Sequence, residues 1–123
     1  TDPKDRTTPM DTKHPLPDTL VDLIAQRFRA LGEPSRIRIL ERLRDRDHTV
    51  QQLAEQLGFT QQNVSKHLGL LHSLGIVTRR KEGGFSYYAI ADESVVRMCD
   101  EVCGTLQRQI AELHELIGEG QRR

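Results

Sequence analysis

Apolar residues recur at helical spacing in five stretches of the chain and at alternating spacing in two. Leu20, Leu23, Ile24, Phe28 and Leu31 form the first helical stripe, with Asp18 in capping position before it. Ile37, Ile39, Leu40 and Leu43 form the second and face inward. Glu33-Pro34-Ser35 opens that helix with proline in its first turn, and Arg36, Arg38, Arg42, Arg44 and Arg46 lie outside. After a charged loop from Asp45 to His48, residues 49–74 read as two helices joined by a tight turn. Leu53, Leu57, Val64, Leu68 and Leu71 supply their apolar faces. Ala54 is small where the helices cross, and Gly58 ends the first of them. Thr49 and Thr60 sit as N-caps, and Gln52, three residues after Thr49, completes a capping-box pattern.

At Gly75 the period changes. Ile76 to Lys81 and Phe85 to Ile90 alternate like strands, with Phe85, Tyr87 and Ala89 on one face. Glu82-Gly83-Gly84 joins them, and the glycine pair suits a turn that requires positive φ. Asp92 caps a last helix from Glu93 to about Ile117. Its stripe of Val95, Cys99, Val102, Leu106, Ile110, Leu113 and Ile117 is too long for one small core to cover. The expected fold is mainly α with a β-hairpin wing. It is a winged helix-turn-helix in the order α-α-α-α-β-β-α, dimerising through its terminal helices. Residues 18–117 form the folded domain. Residues 1–17, with four of the five prolines, form a disordered arm in which Met10 is a candidate native start, and residues 118–123 form a flexible tail.

Composition alters this picture in two ways. The chain has 123 residues, 4% aromatics and no tryptophan, which argues against an aromatic ligand cage or a stacking platform for single strands. Its formal net charge is zero, yet the charge is unevenly placed: residues 27–46 carry seven arginines against three acids. Lys66, Arg79, Arg80 and Lys81 then face Glu82 alone, while seven acids and four arginines follow Phe85. A basic middle with an acidic tail directs one face toward a polyanion. No apolar run suits a membrane span or a secretory leader, so the expected compartment is the cytoplasm, with thiols reduced.

Double-stranded DNA is the partner these features indicate. Gln61, Gln62, Ser65 and Lys66 form a polar front on the second helix of the pair, with side chains suited to base edges and phosphates in a major groove. Arg79, Arg80 and Lys81 stand near the tip of the wing, suited to a phosphate backbone or a minor groove. Cys99 and Cys103 lie on one side of the last helix, about 6 Å apart along its axis. They are candidates for a soft-ion site (zinc or arsenite) or a redox pair, against a plain reading as small packed hydrophobes. His48 and His72 read as surface residues, and His114 and Glu115 lie too far along the helix to share an ion with Cys99 of the same chain, leaving a second subunit as the way to bring them together. With no nucleophile-base arrangement, phosphate-cradling loop or paired carboxylates, the chain does not read as an enzyme.

Three blocks carry a resemblance to the ArsR/SmtB family of small dimeric winged-helix repressors. They are FRALGEPSRIRILERL at residues 28–43, LAEQLGFTQQNVSKHLGLLHSLGIV at 53–77 and RRKEGGFSYYAI at 79–90. The resemblance implies a homodimeric repressor on an inverted-repeat operator, released by a metal, redox or other signal. It places Gln61, Gln62, Ser65 and Lys66 at the family's DNA-contacting positions and His67 in its S-x-H-L motif, read here as a packing and hydrogen-bonding residue. Many family members release DNA on binding metal, but this chain departs from two of the family's sites. The segment Thr49-Val50-Gln51-Gln52-Leu53 stands where a C-V-C-D-L motif would. On the last helix Asp92 matches, while Ser94, Thr105 and Arg108 replace the remaining ligands. Two alternatives remain beside the main reading: a winged-helix module that binds proteins without reading DNA, and a family member with no metal ligand.

Overall fold

The structure, a computed structural model, describes residues 15–122, with side chains over 15–118. Helix α1 spans Asp18–Leu31, α2 Pro34–Asp45, β1 His48–Thr49, α3 Val50–Leu57, α4 Gln61–Ser73, β2 Val77–Glu82, β3 Phe85–Ile90 and α5 Glu93–Arg122. Most of the expected N-terminal arm lies outside the described residues. All five helices and both wing strands fall where the apolar periods put them, but the element order gains a strand. The two-residue β1 pairs with β3, giving a three-stranded antiparallel sheet of order β1-β3-β2. A strand that short carries no period of its own.

Local sequence explains the boundaries. Thr49 accepts from the Gln52 backbone while the Gln52 side chain accepts from the Thr49 backbone, closing the capping box at α3. Gly58 ends α3 at φ 70, a left-handed conformation that a side chain would resist. Thr60 caps α4 through Asn63 N. Gly83 and Gly84 take φ 58 and 84, the positive pair that a two-residue hairpin turn demands. At α1 the cap is Pro17, whose carbonyl accepts from Val21 N at 3.1 Å. Asp18 is therefore the first helical residue and acts on the helix dipole rather than as a cap. Helix α5 continues to Arg122, past the end expected near Ile117. Glycines at 118 and 120 cost a helix only about 1 kcal/mol each, and no proline stops it.

One core joins these elements. Ile39, Leu53, Val64, Leu68, Leu71 and Ile76 are fully buried, with Tyr88 of β3 and Val95 of α5 closing over them. Three residues depart from the sequence reading. Ile37 is 46% exposed, on the flank of α2 that faces α5's groove rather than the core. Arg36 is half-buried, because its guanidinium turns back to the carbonyls ending α1. His48 is 4% exposed: β1 carries it into the sheet opposite Tyr88, where its Nδ1–H donates to Arg46 O at 2.8 Å. Beyond the core an apolar surface is left open, made of Leu23 and Phe28 on α1 and Val102, Leu106, Ile110 and Leu113 on α5.

Candidate nucleic-acid interface

The recognition surface is made by the way α4 is seated. Val64, Leu68 and Leu71 are 0% exposed and pin one face of the helix to the core. Gln62, Ser65 and Lys66 project away from that face, and Gln61 stands at its edge on the first turn; all four are exposed. The offsets 0, 1, 4 and 5 spread the four side chains over about 140° of the helix circumference, on a helix of the kind a major groove admits. The fold thus brings all four together as the sequence reading expected. His67, on the flank between front and core, is half-buried. Its Nδ1 accepts from Arg36 Nη1 at 3.2 Å, and its Nε2 lies 3.8 Å from Glu33 Oε2.

On the wing, β2 and β3 pair Arg79 with Tyr88, Arg80 with Tyr87 and Lys81 with Ser86. Strand alternation places Arg79 and Lys81 on one face and Arg80 on the other. All three are exposed, but their situations differ. Arg80 forms ion pairs with Asp47 and Glu82 and lies 4.9 Å over the Tyr87 ring. The Asp47 and Glu82 carboxylates hold its guanidinium above the ordinary arginine range. Arg80 is thus already engaged, so it differs from the free phosphate-binding cation expected from sequence. Sequence reasoning missed Asp47, which lies 33 residues away and meets Arg80 only because β1 joins the sheet.

Cys99 is half-buried and Cys103 exposed. They border a groove of about 180 Å³ between α2 and α5, lined also by Ile37, Leu40 and Val95. Burial pushes the Cys99 thiol above its ordinary value, while the charge of Arg44 pulls it down. Arg44 itself is tied to Asp100 at 2.7 Å. Among the described residues no group of three or more His, Cys, Asp or Glu side chains could hold a metal ion. Two thiols are short of the three or four donors a soft ion takes, so a metal does not fit the pair within one chain. His72 and His114 are exposed and apart from this groove. No helix among the described residues is long and apolar enough to cross a membrane.

A capped helix pair presenting a polar front, followed by a two-stranded wing bearing cations, defines a winged helix-turn-helix regulator rather than an enzyme. Residues 33–79 match the model of the bacterial regulatory protein arsR family. The chain is 42% identical over 79 residues to the HTH-type transcriptional regulator CmtR of Mycobacterium tuberculosis, covering 64% of this chain and 67% of that one. It belongs to the ArsR family of transcriptional regulators. KmtR of the same organism is 38% identical over 81 residues, which cover 66% of this chain and 62% of KmtR, under two-thirds of its length. The homodimeric winged helix-turn-helix DNA-binding domain of Mb0332 from Mycobacterium bovis, solved in solution, superposes with a TM-score of 0.71 at 30% identity. That match covers 82% of this chain and 94% of the other.

Proposed function

We propose that the protein is a cytoplasmic, homodimeric transcriptional repressor that reads an inverted-repeat operator in double-stranded DNA. The exposed front of α4, set on a sealed core beside a cationic wing, is the observation that carries this reading. Gln61 and Gln62 contact base edges, Ser65 and Lys66 contact base edges and phosphates, and Arg79 and Lys81 neutralise phosphates. Arg80 reaches phosphate only by leaving Asp47. The open apolar surface of α1 and α5 is the dimer seam, and a dimer sets the two recognition helices in successive major grooves. Residues 18–117 act as one DNA-binding and dimerisation domain.

The test is binding to a labelled duplex over a salt series. With Lys66, Arg79 and Lys81 free on each protomer, six cations give a slope of log affinity on log salt of about −5. Gln62→Ala lowers discrimination between operator and shuffled duplex, by about 1–3 kcal/mol. Arg79→Ala weakens both duplexes alike. A flat salt response, or identical behaviour of the two variants, overturns the assignment.

Cys99 and Cys103 are the proposed entry point of a soft-metal (zinc or arsenite) or redox signal, with any third metal donor supplied by the second subunit. Native mass spectrometry of the reduced dimer with added zinc or arsenite checks this. Bound ion in the wild type and none after Cys99→Ser with Cys103→Ser is the expected result. Equal loading of both proteins removes the thiols from metal sensing.

A further inference from the structure

The seat of α4 has one weakness. Its inner contacts, Val64, Leu68 and Leu71, are all aliphatic. Apolar burial is non-directional and fixes how deep a helix lies better than how it is turned about its axis. Side-chain tips stand about 5–6 Å from a helix axis, so a 20° turn moves the tip of Gln62 by about 2 Å. Hydrogen bonds to base edges do not survive a displacement of that size. The apolar face sets the rotation of α4 coarsely and directional contacts refine it: Arg27 Nη1 donates to Leu74 O at the end of the helix, and a second contact reaches its middle.

Arg36 Nε donates to Ala30 O and Nη2 donates to Arg29 O at 3.3 Å, so two nitrogens of one fork close the C-terminal turn of α1. The remaining nitrogen, Nη1, donates to His67 Nδ1 at 3.2 Å. Guanidinium has no acceptor, so Nδ1 must carry the lone pair and the imidazole proton sits on Nε2, facing Glu33 at 3.8 Å. Glu33 in turn caps α2 by accepting from Arg36 N at 3.2 Å. Three side chains thus lock the end of α1, the start of α2 and the middle of α4 together. His67 lies next to Lys66 and one helical turn beyond Asn63.

We propose that Arg36 is a positioning residue for DNA readout, setting the rotation of the recognition helix through His67. This rests on the DNA-reading function proposed above. Arg36 touches no base. Its planar fork meets three acceptors on two helices at once, which a lysine ammonium on a flexible stem does not reproduce. The same contact explains why a histidine half-buried on the flank of α4 belongs to the protein's readout without being a ligand.

The test uses the full-length protein and two duplexes: one selected by the wild type from a random library, and a shuffled duplex of the same composition. His67→Leu removes the acceptor, whereas His67→Asn places Oδ1 where Nδ1 sits. His67→Leu and Arg36→Lys are expected to weaken the selected duplex about tenfold. Both should leave the shuffled duplex within about twofold, because phosphate contacts carry no sequence information. His67→Asn is expected to stay within about threefold of wild type on both. Equal losses on the two duplexes overturn the proposal, since a general loss of folded protein affects both alike. So does a His67→Asn variant as weak as His67→Leu. Should Arg36→Lys fail to fold, the His67 pair decides alone. A wild type that selects no sequence at all refutes DNA reading itself, an outcome distinct from a wild type that selects while its variants do not.

Discussion

Helix α4 and helix α5 are written in the same amphipathic idiom and end in opposite states. On α4 the apolar residues Val64, Leu68 and Leu71 are 0% exposed. On α5 only Val95, at 2%, is fully buried, with Met98 and Cys99 packed against the core beside it, while Leu106 is 50% and Ile110 and Leu113 each 55% exposed. The difference lies in reach. At 1.5 Å per residue the 30 residues of α5 extend about 45 Å, well beyond the small domain that α1 to β3 build. An amphipathic pattern therefore reports that a face is covered, not what covers it. For α4 the cover is this chain; for α5 we propose the second subunit. The spacing supports this. Val96, Cys99, Cys103, Leu106, Ile110, Leu113 and Ile117 follow an unbroken alternation of three and four, the heptad pattern of a helix packed on another helix.

Matched truncations put the comparison at risk. Leu68→Ala empties a sealed site and is expected to lower stability by about 2–5 kcal/mol, at every protein concentration. Leu106→Ala removes a side chain that one protomer leaves half exposed. It should leave the isolated fold within about 0.5 kcal/mol. At about 1 kcal/mol per subunit it raises the dimer dissociation constant about thirtyfold. Thermal melts at high and low protein concentration, with sedimentation equilibrium, separate the two. If both variants melt alike and independently of concentration, the exposed stripe of α5 folds back on its own chain and the contrast collapses.

Most of the fold was legible because it is local. Thr49 with Gln52, Thr60 with Asn63, Gly58 and the Gly83-Gly84 turn each announce a boundary within a few residues, and the helical stripes announce the inner faces. The polar front of α4 was legible for the same reason: if Val64 and Leu68 face in, Gln62 and Lys66 face out with Ser65 beside them, while Gln61, in register with Leu68, is exposed because it is the first residue of the helix. What escaped is long-range. The pairing of β1 with β3 depends on a partner about 40 residues on, so the burial of His48 and the capture of Arg80 by Asp47 left no local trace. Arg36 was read as one more outward arginine because nothing nearby shows that its fork can reach His67, 31 residues away. The strict heptad through Cys103 was present in the sequence, but the apolar stripe was drawn through Val102 instead. On that heptad Cys103 falls on the stripe for which we propose the second subunit as cover, and the inter-subunit role proposed for the thiols rests on that placement.

The smallest effect concerns how α5 is fastened to the part of the molecule that α4 organises. Asp92 caps α5 through Ser94, and its other carboxylate oxygen lies 2.9 Å from Arg27 Nη2. Arg27 Nη1 donates to Leu74 O at 2.9 Å, so one guanidinium joins the end of α4 to the start of α5. The Ser94 hydroxyl first, then the Ser94 backbone N–H and the charge of Arg27, hold the Asp92 carboxyl below its ordinary value of 3.8. A carboxylate whose folded value is depressed adds stability above its unfolded value and loses it as the pH falls through the folded one. Asp92→Asn keeps an oxygen for Ser94 N but drops the charge facing Arg27. The variant should melt below wild type at neutral pH, and the gap should narrow as the pH falls below 3.8. Melting curves collected from neutral to acid pH read that gap directly. A gap that stays constant through the acid range means the carboxylate's charge contributes nothing, and α5 is then held to the winged domain by Val95 and its apolar neighbours alone.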